Sequence, residues 1–482
     1  MSSSLVSRRS LLKALAGCAA TSQVHAETSQ PWNFVFVLID DLGWHDTRPF
    51  GNAVVDTPNL NRFARESARF TNAYAACPVC SPTRASILTG KYPARLQLTD
   101  WIPGRRAWPT ARLRTPPFKQ SLPIEEITIA EALDTKGYKS ASVGKWHLGG
   151  DGFGPLQQGF DRNIGGTAAG SPPTYFGPLK LPNLELGPGE FLTSRLAGGS
   201  IRFMDENAAR PFFLYHASFS VHIPLEAPQD LVAKYKGRPT GDVDPTYCAM
   251  IESTDQAIGA LLKSVDESPF ASRTAVIFFS DNGGVRFQEK RRRPITDNAP
   301  LRAGKGHLFE GGIREPLLIR WPGLTKAGTT IDQPVCSIDF FPTLLAAAGV
   351  QHGPVDGIDI TPLLRGRSMP ERPLFWHYPH YSDQGGRPSG AVRLGDWKLI
   401  EFFEDAHLEL FDLRSDPGEQ RNLAVKEKRR AMDLLALLRD WRSSVQAAMP
   451  TPNLQFDPAT SGEGLTGYEA STAPIADSTL TR

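Results

Sequence analysis

The sequence predicts an α/β protein with a large mixed sheet flanked by helices. A small C-terminal α+β subdomain of antiparallel strands and one helix follows it. Three observations predict this. Asn33-Phe34-Val35-Phe36-Val37-Leu38-Ile39 is a continuous apolar run with little helical period, which reads as a strand buried on both faces. Thr274 to Phe279 repeats the pattern, and acidic residues close the two runs, Asp40-Asp41 after one and Asp281, followed by Asn282, after the other. After about residue 370 the texture changes to short strands separated by polar turns.

The elements follow in order. Thr57 to Ala68 reads as a helix with Thr57 as cap and Pro58 at its first position. Ile124 to Leu133 reads as a second helix, followed by a strand at Lys139 to Val143. Pro211 to His216 begins another strand, and Thr246 to Val265 has the period of a long amphipathic helix. Beyond the change in texture, Leu374 to Tyr378, Ala391 to Phe403 and His407 to Leu413 read as strands, and Leu423 to Ala448 as one helix. The expected domains are residues 31–370 and 371–450, with a Thr-, Ser-, Gly- and Pro-rich mobile tail over 451–482. There is no internal repeat.

Composition excludes some classes. Of 482 residues, 40% are hydrophobic and 22% charged, as in a soluble globular protein. A formal charge of +2 gives no reason to expect nucleic acid as a partner. No apolar run reaches the length of a membrane span. Five cysteines (18, 77, 80, 248 and 336) are too few for a disulfide framework in so long a chain.

Residues 1–26 read as an export signal. Ser7-Arg8-Arg9-Ser10-Leu11-Leu12-Lys13 looks like a twin-arginine segment, so the twin-arginine export machinery is the expected partner. Leu15-Ala16-Gly17-Cys18 has the form of a lipobox, and Val24-His25-Ala26 that of an ordinary cleavage site. The expected location is the bacterial envelope, periplasmic or lipid-anchored through Cys18.

Several motifs carry chemistry. Asp40, Asp41, Asp281 and Asn282 gather hard oxygen donors at two strand ends, a set suited to Ca2+ ahead of Mg2+ and not to zinc. Cys80 opens Cys80-Ser81-Pro82-Thr83-Arg84-Ala85-Ser86-Ile87-Leu88-Thr89-Gly90. Its plain reading is a buried thiol, or half of a Cys-x-x-Cys pair with Cys77. Gly144-Lys145-Trp146-His147-Leu148-Gly149, Val221-His222-Ile223-Pro224 and Pro300 to Gly306 with Lys305 follow in order, and then Glu310-Gly311-Gly312-Ile313-Arg314, which reads as a tight turn.

Cys80-x-Pro82-x-Arg84 running into Ser86-Ile87-Leu88-Thr89-Gly90 resembles the maturation signature of type I sulfatases. The Gly-Lys-Trp-His-Leu-Gly block, the Lys305 block and Asp281-Asn282-Gly283-Gly284 strengthen that resemblance, which covers roughly residues 31 to 445. It implies an alkaline-phosphatase-like fold and hydrolysis of sulfate esters. Cys80 is expected to be oxidised to formylglycine by a formylglycine-generating or sulfatase-maturing enzyme. The hydrated aldehyde is the expected nucleophile and a further metal ligand. Lys145 and Lys305 are implied to hold the sulfate, and His147 to bond the formylglycine hydroxyl. His222 is implied as sulfate ligand or acid to the leaving group, although Val221 replaces the family's first proline. Arg84 is implied to bond the metal-site carboxylates, and Asp281 to take the nucleophile's proton.

A sulfated carbohydrate is the expected substrate. The insert from Gln97 to Lys119 holds Trp101, Arg105, Arg106 and Trp108, and tryptophan faces stack on sugars while arginines bind anions. Lys290-Arg291-Arg292-Arg293 is expected near the pocket mouth, and His380 and Arg387 over the cleft. Both basic stretches also read as solvated loops. Two rival readings are a phosphonate monoester or phosphodiester hydrolase of the same superfamily and a non-catalytic glycan-binding lipoprotein.

Overall fold

The structure is a computed structural model that describes residues 30–105, 110–286 and 294–457. One compact unit begins at Trp32. The export signal with Cys18, together with Arg106, Trp108, Lys290, Arg291, Arg292 and Arg293, lies outside the described residues.

The strands of the main sheet are β1 (Asn33–Ile39), β2 (Ala68–Tyr74), β3 (Lys139–Gly144), β4 (Arg162–Ile164), β5 (Phe212–Ala217), β6 (Thr274–Ser280), β7 (Arg314–Arg320), β8 (Thr330–Ile331) and β9 (Val335–Cys336). Among the described residues they form one nine-stranded sheet in the order β8-β2-β7-β6-β1-β5-β3-β4, with β9 also on β2. The sheet is mixed. β1 runs parallel to β5 and β6, and β7 runs antiparallel to β6 and β2. Helices cover both faces, so alternate residues of β1 enter two separate cores. Val35, Val37 and Ile39 join one, and Phe34, Phe36 and Leu38 the other. That double burial is why the strand reads as an unbroken apolar run.

Register decides what meets at the sheet's rim. Ile39 lies opposite Ser280, and Leu38 opposite Ala217. Gly144 lies opposite the same Ala217. The residues that follow these strands (Asp40-Asp41, Asp281-Asn282 and Lys145) therefore leave the sheet side by side at its C-terminal edge, where open α/β sheets place their ligands.

Several expectations need correction. The helix expected over 124–133 is Ile129–Asp134, closed by a reciprocal capping box between Thr128 and Glu131. Ile124 and Ile127 are 43% and 60% exposed and belong to the preceding turns. Thr57 does not cap its helix, because its hydroxyl accepts from the Arg48 amide instead. The single strand expected over 391–403 is a hairpin, Ser389–Leu394 and Trp397–Phe402, turning at Gly395. The last helix is shorter than expected, Lys428–Ser444. Within the expected mobile tail, Thr451–Pro452 pairs with Leu113–Arg114, and the Asn453 amide donates to Arg112.

The four-stranded antiparallel sheet (Leu374–Tyr378, Ser389–Leu394, Trp397–Phe402, Leu408–Asp412) shares a core with Tyr74, Ile313 and Cys336 of the larger sheet region. A buried ion network fastens it. Lys398 Nζ lies 2.9 Å from Glu310 and 3.0 Å from Glu419, and all three side chains are fully buried. Tyr74 donates to the other Glu310 oxygen. Burial works against the Glu310 charge, but Lys398 and the arginines 314 and 393 hold its carboxyl down at about 2. The turn at Glu310 is thus a junction between the two sheets.

Removing the one cation between two buried carboxylates is costlier than removing a whole pair. Lys398→Met is expected to destabilise the protein by about 3–5 kcal/mol in urea or thermal unfolding. A change below about 1 kcal/mol, the value of an exposed pair, would contradict this role for the network.

Candidate active site

The helix Cys80–Thr89 is buried on all sides, in every one of its residues. Such a helix shows no amphipathic period. Its hydroxyls find partners nearby: Thr83 donates to Cys77 O, Ser86 to Thr83 O and Thr89 to Ala85 O. Cys80 is its first residue, where the helix dipole favours negative charge. Cys77 and Cys80 form no disulfide with each other.

Cys80 Sγ lies 3.3 Å from His147 Nδ1, and His147 Nε2 lies 2.5 Å from the Ile102 carbonyl oxygen. A carbonyl can only accept, so Nε2 carries the proton. Burial, then the Lys145 charge, push the His147 pKa well down and keep the ring neutral. Nδ1 is therefore the acceptor turned toward the side chain at position 80. His147 occupies the left-handed region at φ 57°. Gly170 packs on its ring so closely that a Cβ there would stand 2.5 Å from Cε1.

Arg84 reaches from the same helix to Asp281 through Nε at 2.9 Å and a terminal nitrogen at 2.7 Å, and it donates to Lys145 O. Lys145 Nζ lies 2.7 Å from Asp40 Oδ2. Lys305 Nζ and Asn282 Nδ2 both donate to Asp41 Oδ1, at 2.5 and 2.8 Å. His222 Nε2 lies 3.6 Å from Asp41 Oδ2.

These groups are almost wholly out of water, which shapes their titration. Burial pushes Asp40 well above the usual carboxylate range, against the pull of Lys145, and the Asp281 and Asp41 charges add to the rise. Asp41 is buried too, but Lys305 and His222 hold it well below that range. Burial opposes the Lys305 charge, yet Asp41 keeps its pKa above the ordinary lysine value. Burial lowers His222, with Asp41 pulling the other way.

The donor set fits a hard cation. Asp40, Asp41 and His222 each offer a ligand atom within 4.8 Å of the others. Asp40 Oδ1 and Asn282 Oδ1 are buried oxygens without a hydrogen-bond partner. Buried oxygens of this kind are rare unless they face an ion or water. Asp281 is committed differently, with Oδ2 on Arg84 and Oδ1 accepting from the Asp41 amide.

A cleft of about 800 Å³ opens over these groups, lined by Cys80, Trp101, His147, His222 and Lys305. The described residues expected at the nucleophile, sulfate and metal positions thus converge on one place. The expected substrate residues do not all do so. His380 does not face the cleft. It is 2% exposed, its Nε2 lies 2.8 Å from Thr99 Oγ1, and its ring packs against Phe118 and Tyr378. Arg387 does not line the cleft either and pairs with Glu404. Arg105 sits behind the cleft wall, 3.3 Å from Asp383. Residues that sequence reasoning missed also line it: Ile102, Pro103, the 168–171 loop, Ile223, Asp383 and Gln384. Only the run Gly165-Gly166-Thr167-Ala168-Ala169-Gly170 signalled a tight loop there.

The family model for sulfatases matches residues 32–350, and that for the C-terminal region of N-sulphoglucosamine sulphohydrolase matches residues 304–442. Human arylsulfatase A is 32% identical over 489 aligned residues, covering 89% of this chain and 90% of that one. Human N-acetylgalactosamine-6-sulfatase is 34% identical, over 72% of this chain and 68% of its own. The solved structure of Ps i-CgsB in complex with k-i-k-neocarrahexaose superposes with a TM-score of 0.74 at 25% identity, covering 93% of this chain and 99% of that chain.

Close packing on His147 makes a test of the geometry. Gly170→Ala is expected to push the imidazole out of line and lower kcat by on the order of 100-fold, the usual cost of a misplacement near 1 Å. An unchanged kcat, with the variant shown folded by its melting temperature, would mean that the ring position does not matter.

Proposed function

We propose, since the chain belongs to the sulfatase family and is a sulfuric ester hydrolase, that it removes sulfate from a sulfated carbohydrate with a formylglycine made from Cys80 beside a divalent cation, Ca2+ ahead of Mg2+. One observation supports this most: Cys80 opens a buried helix and faces the unprotonated Nδ1 of His147 in a cleft shared with His222 and Lys305. The Sγ atom stands where the formylglycine oxygens would be.

The hydrated aldehyde would supply two hydroxyls, one to attack sulfur and one to expel sulfate afterwards. Asp40, Asp41 and Asn282 would hold the cation, with His222 at its margin and Asp281 behind, and the ion would polarise the sulfate oxygens. The chain's own groups do the rest. His147 Nδ1 accepts a proton from the hydroxyl it faces, because Nε2 is committed to Ile102. Lys145 Nζ on Asp40 and Lys305 Nζ on Asp41 would present two ammonium groups to the sulfate. His222 Nδ1 donates to Ile223 O, which leaves Nε2 facing Asp41 and the cleft. To act as the acid His222 would first take up a second proton at Nε2, where the Asp41 charge favours the imidazolium against burial, and that proton would go to the departing alcohol. Arg84 fixes the Asp281 carboxylate.

A carbohydrate leaving group is favoured by Trp101 in the cleft wall and by the sugar named for two of the relatives. The segment Ser7 to Lys13 supports export by the twin-arginine route, with a maturation enzyme acting on Cys80 before export. No helix among the described residues is long and apolar enough to cross a membrane.

Cys80→Ala is expected to abolish sulfate release without lowering the melting temperature. The native peptide containing position 80 should weigh about 18 Da less than its thiol form. Near-normal turnover by the variant would refute the nucleophile.

Metal removal gives an independent reading. Buried carboxylates that converge on one point repel each other unless a cation neutralises them. Chelation is expected to lower activity and melting temperature together, and Ca2+ to restore them. Full activity after exhaustive chelation, with no bound metal found by elemental analysis, would rule the ion out.

A further inference from the structure

The cleft lining is of two chemical kinds. Trp101, Ile102, Pro103 and Ile223 are apolar. A polar part comes from the loop 382–387, which follows the first strand of the C-terminal sheet and presents Asp383 and Gln384. None of the groups proposed to handle sulfate belongs to this loop.

The loop is held rigidly. The Ser382 amide donates to Gly386 O and the Gly385 amide to Ser382 O, which closes it on itself. Its backbone lies directly on the residue after Lys305. A Cβ on Gly306 would stand 1.9 Å from Ser382 Oγ, and one on Gly386 would stand 1.7 Å from Gly306 O. From behind, Arg105 donates to Ser382 O at 3.2 Å and pairs with Asp383 at 3.3 Å. The Arg105 side chain is 19% exposed and that of Asp383 38% exposed, so the carboxylate is the more open partner. Ser382 Oγ donates to Gln384 Oε1 at 2.7 Å, which leaves the Gln384 amide nitrogen uncommitted to that hydroxyl.

We infer that Asp383 and Gln384, fixed by Arg105, form a subsite that selects the leaving sugar. Asp383 accepts from its hydroxyl edge while an apolar face of the ring packs on Trp101. The inference rests on the carbohydrate reading given above. A carboxylate accepts from hydroxyls but repels a second anion, so the subsite takes a sugar that is neutral on that edge. A uronate, or a second sulfate on that edge, is disfavoured. Arg105 therefore acts on a carboxylate of the protein and not on the substrate.

The test compares kcat/KM for a panel of monosulfated hexoses, their disulfated counterparts and 4-nitrophenyl sulfate, using the mature enzyme and the variants Asp383→Asn and Gln384→Ala. Asp383→Asn is expected to lower the ratio of monosulfated sugar to aryl sulfate by about 10- to 100-fold, the value of a hydrogen bond to a charged acceptor. It should also narrow the preference for monosulfated over disulfated sugar by about 10-fold. Gln384→Ala leaves the Arg105 pair intact and should shift the first ratio in the same direction. That variant decides the matter if Asp383→Asn loses its fold. Ratios unchanged within about twofold, while sugars are still turned over, would overturn the subsite alone. If the native enzyme cleaves the aryl sulfate but no sulfated sugar, the carbohydrate reading falls and the subsite with it.

Discussion

The structure depends on one balance of buried charge. Asp40, Asp41 and Asp281 meet Arg84, Lys145 and Lys305 at the C-terminal rim of the sheet, and each of these residues is at most 6% exposed. Desolvating an ion costs several kcal/mol, and only close opposite charge in a low-dielectric setting offsets it. The pairing here is specific: Arg84 with Asp281, Lys145 with Asp40, Lys305 with Asp41. Arg84 is the fixed member, since a guanidinium does not deprotonate in proteins. The formal charges balance, and the pairs still leave Asp40 Oδ1, 3.6 Å from Arg84, and Asn282 Oδ1 without a hydrogen bond. A cation bound there would turn a neutral cluster into a positive one, which is what an incoming sulfate ester requires.

Holding this cluster strains the backbone. Asp41, His147 and Ala303 are non-glycine residues in the left-handed region, at φ 60°, 57° and 62°. Each such residue costs about 1–3 kcal/mol and persists only where its surroundings over-determine it. The surroundings here are unusually tight. A Cβ on Gly283 would stand 1.9 Å from Gly311 O. The two glycine pairs, Gly283-Gly284 and Gly311-Gly312, therefore let the loop after β6 lie against the turn that begins at Glu310. That turn is itself anchored by Lys398. Strain at the chemistry is thus offset by ion pairs and close packing outside it.

What could be read from the sequence follows from how each signal is written. Strands β1 and β6 were legible because burial on both faces leaves an unbroken apolar run, and the acidic residues at their ends marked the rim. The helix Cys80–Thr89 carried no period, because all of its residues are buried; only its motif spoke. The helix Leu192–Glu206 was hidden by Gly198-Gly199 at its centre. His380 misled because it follows an alternating aromatic stretch, Trp376-His377-Tyr378, yet its ring is buried against Thr99. Asp383 and Gln384 carried no local signal at all. Their place in the cleft comes from packing between the loop after residue 381 and the residue after Lys305, far apart in sequence, and no window along the chain reports such a contact.

The small sheet is part of the cleft and not an appendage to it. Its strand Leu374–Tyr378 supplies Tyr378, whose hydroxyl donates to Asp100 at 3.0 Å, and Asp100 in turn accepts from the Trp101 amide. Burial pushes Asp100 up to about 8, with Tyr378 only partly offsetting it, so at neutral pH this link is mostly an uncharged one. A neutral link avoids the desolvation penalty of an ion pair and does not disturb the charges around Cys80. Trp101 and Asp383, both in the cleft lining, are therefore both carried by the C-terminal sheet or tied to it. The groups proposed to handle sulfate stand instead at strand ends of the large sheet, on the helix Cys80–Thr89 and on the loop that carries Lys305. The proposed chemistry and the proposed selection are thus built on different elements that touch at Gly306, one residue from Lys305. Substitutions at Trp101, Asp383 or Gln384 would accordingly alter the fit of the proposed sugar without breaking the buried charge balance.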